Sequence, residues 1–137
     1  MRRFILDTGI AGLYLDRRRG VFERAATEVA KGNRVGVAGP VVGELAFRAE
    51  GSPKRDENLR RLREALGVWK VWLADLAAEF EYGRIAFELK TLGRPIGQND
   101  ITIAAIAFSL GNTTVVSMDA DLSSVPALTV ENWAELA

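Results

Sequence analysis

Cysteine and histidine are both missing from the 137 residues of this chain. Without cysteine, the chain cannot form disulfides, thiolate nucleophiles or cysteine-based zinc sites. Without histidine, it cannot use a Ser-His-Asp triad or a histidine general base. Any hydrolytic chemistry must then use carboxylates, lysine, tyrosine or metal-bound water. Carboxylates favour hard cations such as Mg²⁺ or Mn²⁺.

The chain also lacks an excess of charge of either sign and any long apolar run. Its 18 Lys and Arg balance its 18 Asp and Glu, which argues against a basic nucleic-acid coat protein but allows an acidic pocket with a separate basic rim. No run approaches the length that spans a bilayer, and the apolar stretch at residues 4–6 is too short for a signal peptide. We therefore expect a cytoplasmic protein without a membrane partner, formed by a single domain over residues 1–137.

Residues 93–108, GRPIGQNDITIAAIAF, contain the most informative pattern. The stretch begins as a turn, because its glycines and its proline do not fit in one regular element. The run that follows is apolar on all sides, which predicts a buried helix. Asn99 is expected to be the N-cap residue and Asp100 to lie in the first turn, where the helix dipole favours an acid. Asp100 could simply help to start the helix, but a ligand could also reach it there.

Strands and helices alternate along the rest of the chain. Strands are predicted at Arg3–Leu6, Arg34–Ala38, residues 68–73, residues 114–118 and residues 128–130. Helices are predicted at residues 10–15, 21–31, from 39 onward, 54–66 and 75–92, with a helical turn at 131–136. This alternation predicts an α/β fold, a three-layer α/β/α sandwich with a central parallel sheet of four to five strands.

Several local expectations accompany these elements. Thr8 and Gly9 are expected to form a turn after the first strand, and Gly83 predicts close packing of the long helix. We also expect the apolar side chains of the helices to face the core, including Phe22, Val29, Phe47, Leu76, Phe80 and Phe87.

Four carboxylates occur where the predicted elements meet. Asp7 and Asp119 directly follow strands, whereas Glu44 and Asp100 lie near the starts of helices. Ligands bind at the carboxyl ends of parallel strands, so the four acids can converge on one rim. Clustered carboxylates raise one another's pKa values unless a cation neutralises them, and a divalent cation can also activate water and stabilise charge on a phosphate. Glu44 could instead be a solvated residue, although its neighbours are apolar.

Basic residues are concentrated in two places. Arg17, Arg18 and Arg19 follow the first predicted helix, and either a solvated loop or a phosphate contact accounts for them. The helix at 54–66 presents a basic outer face that is either solubilising or a contact for RNA phosphates or a partner protein. That face consists of Arg55, Arg60, Arg61 and Arg63.

Four segments of the chain resemble the PIN-domain ribonucleases and, among them, the VapC-type toxins of toxin–antitoxin pairs. They are ILDTGI at 5–10, VVGELAFRA at 41–49, GRPIGQNDITIAAIA at 93–107 and TVVSMDADLSSVPALTVENW at 114–133. The resemblance implies a parallel-sheet sandwich, Mg²⁺- or Mn²⁺-dependent RNA cleavage, inhibition by a cognate antitoxin protein, and a homodimer.

The resemblance also implies roles for individual residues. Asp7, Glu44 and Asp100 match the family's three invariant acids, and Asp119 matches a fourth position that varies. All four are predicted to be catalytic and to bind the metal, with Asp121 as a second candidate at the fourth position.

Three further positions bear on the resemblance. Thr8 matches the small hydroxyl residue that follows the first acid. Gly9 stands where Ser or Asn is common, so a polar contact near the metal is missing. Ile106 replaces a frequent histidine and is expected to be peripheral to the chemistry.

The sequence thus predicts a metal-dependent endoribonuclease that acts as the toxin of a toxin–antitoxin pair. One alternative is a catalytically silent PIN-fold binding module, which only Gly9 favours. Another is a metal-dependent phosphotransfer enzyme with Asp7 as nucleophile. That chemistry usually needs a second aspartate two residues on, where this chain has Gly9.

Overall fold

A parallel five-stranded sheet lies at the centre of the computed structural model, which describes residues 1–136. The strands are β1 (Arg3–Leu6), β2 (Arg34–Ala38), β3 (Lys70–Trp72), β4 (Thr113–Val116) and β5 (Val130–Glu131). They lie in the order β3-β2-β1-β4-β5, and Arg3 of β1 pairs with Arg34 of β2 and Thr113 of β4. Since all pairs are parallel, the carboxyl ends of the strands meet at one edge of the sheet.

Seven helices cover the sheet within residues 1–136. They are α1 (Thr8–Leu15), α2 (Val21–Ala30), α3 (Gly39–Glu50), α4 (Arg55–Leu66), α5 (Leu76–Thr91), α6 (Gln98–Leu110) and α7 (Ala120–Ser123). Helices α1 to α4 pack against one another as one group, and α5, α6 and α7 pack as a second group. The predicted three-layer α/β/α sandwich is confirmed. None of the helices in this part of the chain has the length and apolar character to span a bilayer.

The central strand β1 and helix α6 contribute the most deeply buried side chains of the core. Phe4, Ile5 and Leu6 of β1 are fully buried, and Ile103 and Ile106 of α6 are 1% exposed. Helix α6 is apolar on all sides because it is surrounded by protein, as the sequence predicts. Burial of α6 fixes the position of its N-terminus, where Asp100 lies.

Several apolar side chains expected in the core are on the surface instead. Phe47 and Phe80 are 80% exposed, Leu76 is 79% exposed and Phe87 is 70% exposed. A helix turns one narrow stripe toward the core, and smaller residues already fill it. In α3 the stripe is Val41, Leu45 and Ala49, and in α5 it is Ala78, Ile85 and Leu89. The expectation that Val29 faces inward is also wrong, since this side chain is 48% exposed.

Three local expectations are also corrected. Thr8 and Gly9 do not form a turn but are the first residues of α1, because Asp7 caps that helix directly. Residues 131–136 form no helical turn, since Glu131 belongs to β5 and residues 132–136 are irregular. Gly83 is not closely packed, because an added Cβ would meet no atom of another described element within 4 Å.

Candidate active site

Asp7 is the most buried acid at the carboxyl edge of the sheet, with 7% exposure. Its backbone N–H donates to the carbonyl of Val116 at 3.0 Å, which ties the end of β1 to the end of β4. Its Oδ1 accepts a hydrogen bond from the backbone N–H of Ile10 at 2.9 Å, and its Oδ2 accepts one from the hydroxyl of Ser117. Both oxygens of Asp7 are therefore held in fixed directions.

Ser117 connects two of the predicted acids. It is 3% exposed, and its hydroxyl donates to Asp7 while accepting the backbone N–H of Asp119 at 2.8 Å. Ser117 is a residue of this site that the sequence patterns do not predict. The sequence feature that could have indicated Ser117 is a hydroxyl residue directly after the apolar part of β4, two positions before the expected ligand Asp119.

Asp100, Asp119 and Asp121 form the tightest group of acids in the described residues. One carboxylate oxygen from each lies within 4.8 Å of the others. Asp119 is the N-cap of α7, and its Oδ1 accepts the backbone N–H of Asp121 at 2.9 Å. Because α7 begins directly after Asp119, the chain turns back and brings Asp121 alongside Asp100.

The start of α6 differs from the prediction. Gly97, and not Asn99, is the N-cap residue, so Asn99 lies inside the first turn together with Asp100. The Asn99 side chain donates a hydrogen bond to Oε1 of Glu44 on α3. This amide therefore orients a predicted site acid, and sequence reasoning missed that contact because Asn is so common as a cap.

The predicted acids line one open cleft, which we call the acidic cleft. Its walls come from the ends of β1 and β4 and from the N-terminal parts of α1, α3 and α6. It is lined by Asp7, Thr8, Gly9, Glu44, Arg48, Gly97, Gln98, Asn99, Asp100 and Asp119. Ile106 does not line it, since this side chain is 1% exposed in the core.

Burial, together with accumulated negative charge, raises the pKa of two acids. Burial and the charges of the surrounding carboxylates raise the pKa of Asp100 to about 6; the carboxylates are, in order of effect, Asp119, Asp7, Asp121 and Glu44. Burial also raises the pKa of Asp7, against the hydrogen bonds from Ser117 and Ile10 that lower it. A divalent cation would relieve this mutual repulsion by neutralising the carboxylates.

The donor set fits a hard divalent cation. It consists entirely of carboxylate oxygens from several elements, which is the ligand type that Mg²⁺ and Mn²⁺ prefer. Asp100, Asp119 and Asp121 can each offer an oxygen to one ion, and Asp7 and Glu44 line the same cleft. A side chain larger than that of Gly9 would also fit beside these acids. A Cβ at position 9 would lie 3.8 Å from Oδ1 of Asp7, which is an ordinary van der Waals distance.

Comparison with known proteins agrees with this geometry. The profile of the PIN domain family matches residues 4–128. The chain belongs to this family. A ribonuclease VapC2 from Haemophilus influenzae is 31% identical over 133 residues, which cover 97% of this chain and 99% of that protein. A tRNA(fMet)-specific endonuclease VapC from Shigella flexneri is 28% identical, over 98% of this chain and its own full length.

A solved structure extends the similarity to three dimensions. The crystal structure of VapBC2 from Rickettsia felis, bound to a DNA fragment from its promoter, contains a chain with a TM-score of 0.87 to this PIN domain. The two chains are 26% identical, and the match covers 96% of this chain and 98% of that one. The predicted resemblance to PIN-domain and VapC-type proteins is thereby confirmed.

Proposed function

We propose that this PIN-domain protein is a metal-dependent endoribonuclease that acts as the toxin of a toxin–antitoxin pair. The observation that carries the proposal is the acidic cleft at the carboxyl edge of the sheet, in a chain whose relatives are named ribonucleases and endonucleases. Such a group of carboxylates suits phosphodiester hydrolysis without histidine or cysteine, because these acids can hold a divalent cation.

Asp7, Glu44, Asp100 and Asp119 are the proposed metal-binding and catalytic residues, with Asp121 as an additional ligand. These residues would hold Mg²⁺ or Mn²⁺ as the divalent cation. When bound, it neutralises the acids, lowers the pKa of a water molecule and stabilises charge on the phosphate.

The chain's own residues position these acids. The Ser117 hydroxyl and the Ile10 N–H fix the two oxygens of Asp7, and the Asn99 amide fixes Glu44. Asp100 is held in place by the buried helix α6. Oriented partners of this kind are what make a ligand set selective and rigid.

Cleavage of mixed RNA by the purified protein tests the proposal. We expect cleavage with Mg²⁺ or Mn²⁺, none with EDTA, and recovery when the metal is restored. Glu44→Gln should abolish cleavage. Glu23→Gln, which removes an exposed acid from the first turn of α2, should not. Folded protein that leaves RNA intact with either metal would contradict the nuclease and favour a silent binding module.

An antitoxin protein is the proposed regulatory partner. The support is the overall similarity to a chain of a VapBC complex from Rickettsia felis. Growth should stop when the chain is produced alone and recover when its antitoxin is produced with it.

A homodimer is the proposed assembly. Leu76, Phe80 and Phe87 form an exposed apolar stripe on α5, and Gly83 lies between them with open space beside it. Positions 76, 80, 83 and 87 follow the helical repeat, so they share one face. Contiguous exposed apolar side chains are typical of association surfaces, and a second copy of the chain would cover this stripe.

A further inference from the structure

Arg48 is the one basic residue that lines the acidic cleft within residues 1–136. It lies on α3 one helical turn after Glu44 and is exposed to solvent. All other charged side chains in the lining are carboxylates, namely Asp7, Glu44, Asp100 and Asp119. An anionic substrate that approaches this cleft would meet repulsion from the acids and attraction from Arg48.

Within residues 1–136 no acid pairs with the charge of Arg48, which leaves it free for a ligand. Glu44 is its natural partner, because an acid four residues before a base on a helix usually pairs with it. Here, however, Glu44 accepts a hydrogen bond from Asn99. Arg48 makes no salt bridge with any acid in the described part of the chain.

A groove leads away from the cleft at Arg48. Besides the cleft, Arg48 lines a depression between α1, α3 and α4 together with Leu15, Asp16 and Arg61. Leu15, Asp16 and Arg61 also line a neighbouring hollow on the surface. The wall of that hollow includes Arg17 and Arg60. Because neighbouring hollows share these residues, the three hollows lie next to one another between the acids and α4, whose wall carries Glu57 as well as Arg60.

We propose that Arg48 binds a phosphate of the RNA next to the cleaved one and directs the strand from the acidic cleft into this groove. The inference rests on the proposed nuclease function. A guanidinium suits the task, because its planar fork can donate two parallel hydrogen bonds to phosphate oxygens. Arg48 is a positioning residue in this account, since the chemistry belongs to the acids.

The test measures binding of a short single-stranded RNA oligonucleotide to an Asp100→Asn protein in Mg²⁺ at increasing NaCl concentrations. Adding Arg48→Gln should weaken binding about tenfold, the effect of losing one hydrogen-bonded charge. The slope of log affinity against log salt should flatten by about 0.7, as for one phosphate of a single strand. Arg48→Lys should keep the slope, because the charge remains.

Arg34→Gln is the matched control. It removes the same charge from the start of β2, at the opposite edge of the sheet, and should change neither affinity nor slope. With Asp100 intact, Arg48→Gln should also raise KM for RNA more than it lowers kcat.

The outcomes separate this inference from the function on which it depends. If the unsubstituted protein cleaves RNA and Arg48→Gln keeps the parent's affinity and slope, the role of Arg48 is wrong and the nuclease stands. The same holds if Arg48→Gln weakens only the binding of the antitoxin. If the unsubstituted protein cleaves no RNA with Mg²⁺ or Mn²⁺, the proposed function and this inference fail together.

Discussion

The hydroxyl of Ser117 donates a hydrogen bond to Oδ2 of Asp7, across 110 positions of sequence. Both residues follow strands, β1 and β4, that lie side by side at the centre of the sheet. The same hydroxyl accepts the backbone N–H of Asp119. One serine thus links the first and the fourth of the proposed metal ligands, so its removal should disturb the site without removing an acid.

Ser117→Ala should lower both stability and RNA cleavage. The change leaves a buried oxygen of Asp7 and the N–H of Asp119 without their partner, at a cost of about 1–3 kcal/mol in the free energy of unfolding. Loss of this hydrogen bond should also raise the pKa of Asp7 and move the acid limb of the cleavage profile to higher pH.

Urea unfolding and a pH–rate profile measure both effects. Ser109→Ala is the control, because its hydroxyl donates to the Ile106 carbonyl within α6 at 2.9 Å, outside the cleft. An acid limb that stays in place in the Ser117 variant would show that this serine does not tune Asp7.

The metal-free protein should lose stability as the pH rises from about 4 to above 6, through the effect of Asp100. Its pKa is about 6 in the folded state, against an ordinary value of 3.8. Between these values the folded state binds more protons than the unfolded state, so the free energy of unfolding falls as pH rises. Asp100→Asn should remove this contribution.

The measurement is the difference in urea midpoint between parent and Asp100→Asn, taken in EDTA across this pH range. Taking the difference between the two proteins removes the contribution of Glu28, which both of them share. Burial alone would raise the pKa of Glu28, but hydrogen bonds from Asn33 and Arg24 outweigh burial and lower it. A difference that does not change with pH would contradict the account of Asp100.

Within the basic face of α4, Arg60 should contact RNA and Arg55 should not. Arg55 already donates to Glu50 at 2.6 Å and to Asp56 at 2.8 Å, whereas Arg60 makes no ion pair within residues 1–136. Arg60→Gln should flatten the salt dependence of RNA binding by about 0.7 units of slope, and Arg55→Gln should leave it nearly unchanged. If both variants and the parent show the same salt dependence of RNA binding, this face is a partner surface or a solubilising one.

Phe80→Ser should convert the proposed dimer to a monomer without unfolding it. Phe80 is 80% exposed in the single chain, so the substitution removes little of that chain's core. Light scattering with size-exclusion chromatography gives the mass, and circular dichroism verifies the fold. Val29→Ser changes an exposed apolar side chain on α2 and should leave the mass unaltered. A Phe80 variant with the mass of the parent would place the interface elsewhere.

The alternation of apolar runs was sufficient to predict the sheet and the buried helix α6. The spacing of apolar residues and the positions of turn residues indicate where strands and helices lie. The alternation of those strands and helices along the chain then indicates a parallel sheet. The core-facing sides of α3 and α5 were harder to predict, because Phe47 and Phe80 are strongly apolar yet lie outside the stripe that meets the core. An apolar residue on a surface for association has the same sequence signature as a core residue.

The candidate site was likewise predicted in part, with the acids found and the residues that orient them missed. Strand ends and motifs predict Asp7, Glu44, Asp100 and Asp119 as site residues, and the structure places all four along one cleft. Ser117 and Asn99, which orient Asp7 and Glu44, were missed. Their contacts join residues distant in sequence, and no local pattern encodes such a pair.

Thermal melts of the parent and Asp100→Asn, with and without Mg²⁺, test the central claim most directly. A bound ion stabilises only a protein that has a site for it. Mg²⁺ should therefore raise the Tm of the parent and have little effect on Asp100→Asn, which should be at least as stable as the parent in EDTA and should not cleave RNA. If Asp100 only starts a helix, the variant should lose about 0.3–1 kcal/mol of unfolding free energy. A variant that melts lower, responds to Mg²⁺ like the parent and still cleaves RNA would contradict the account.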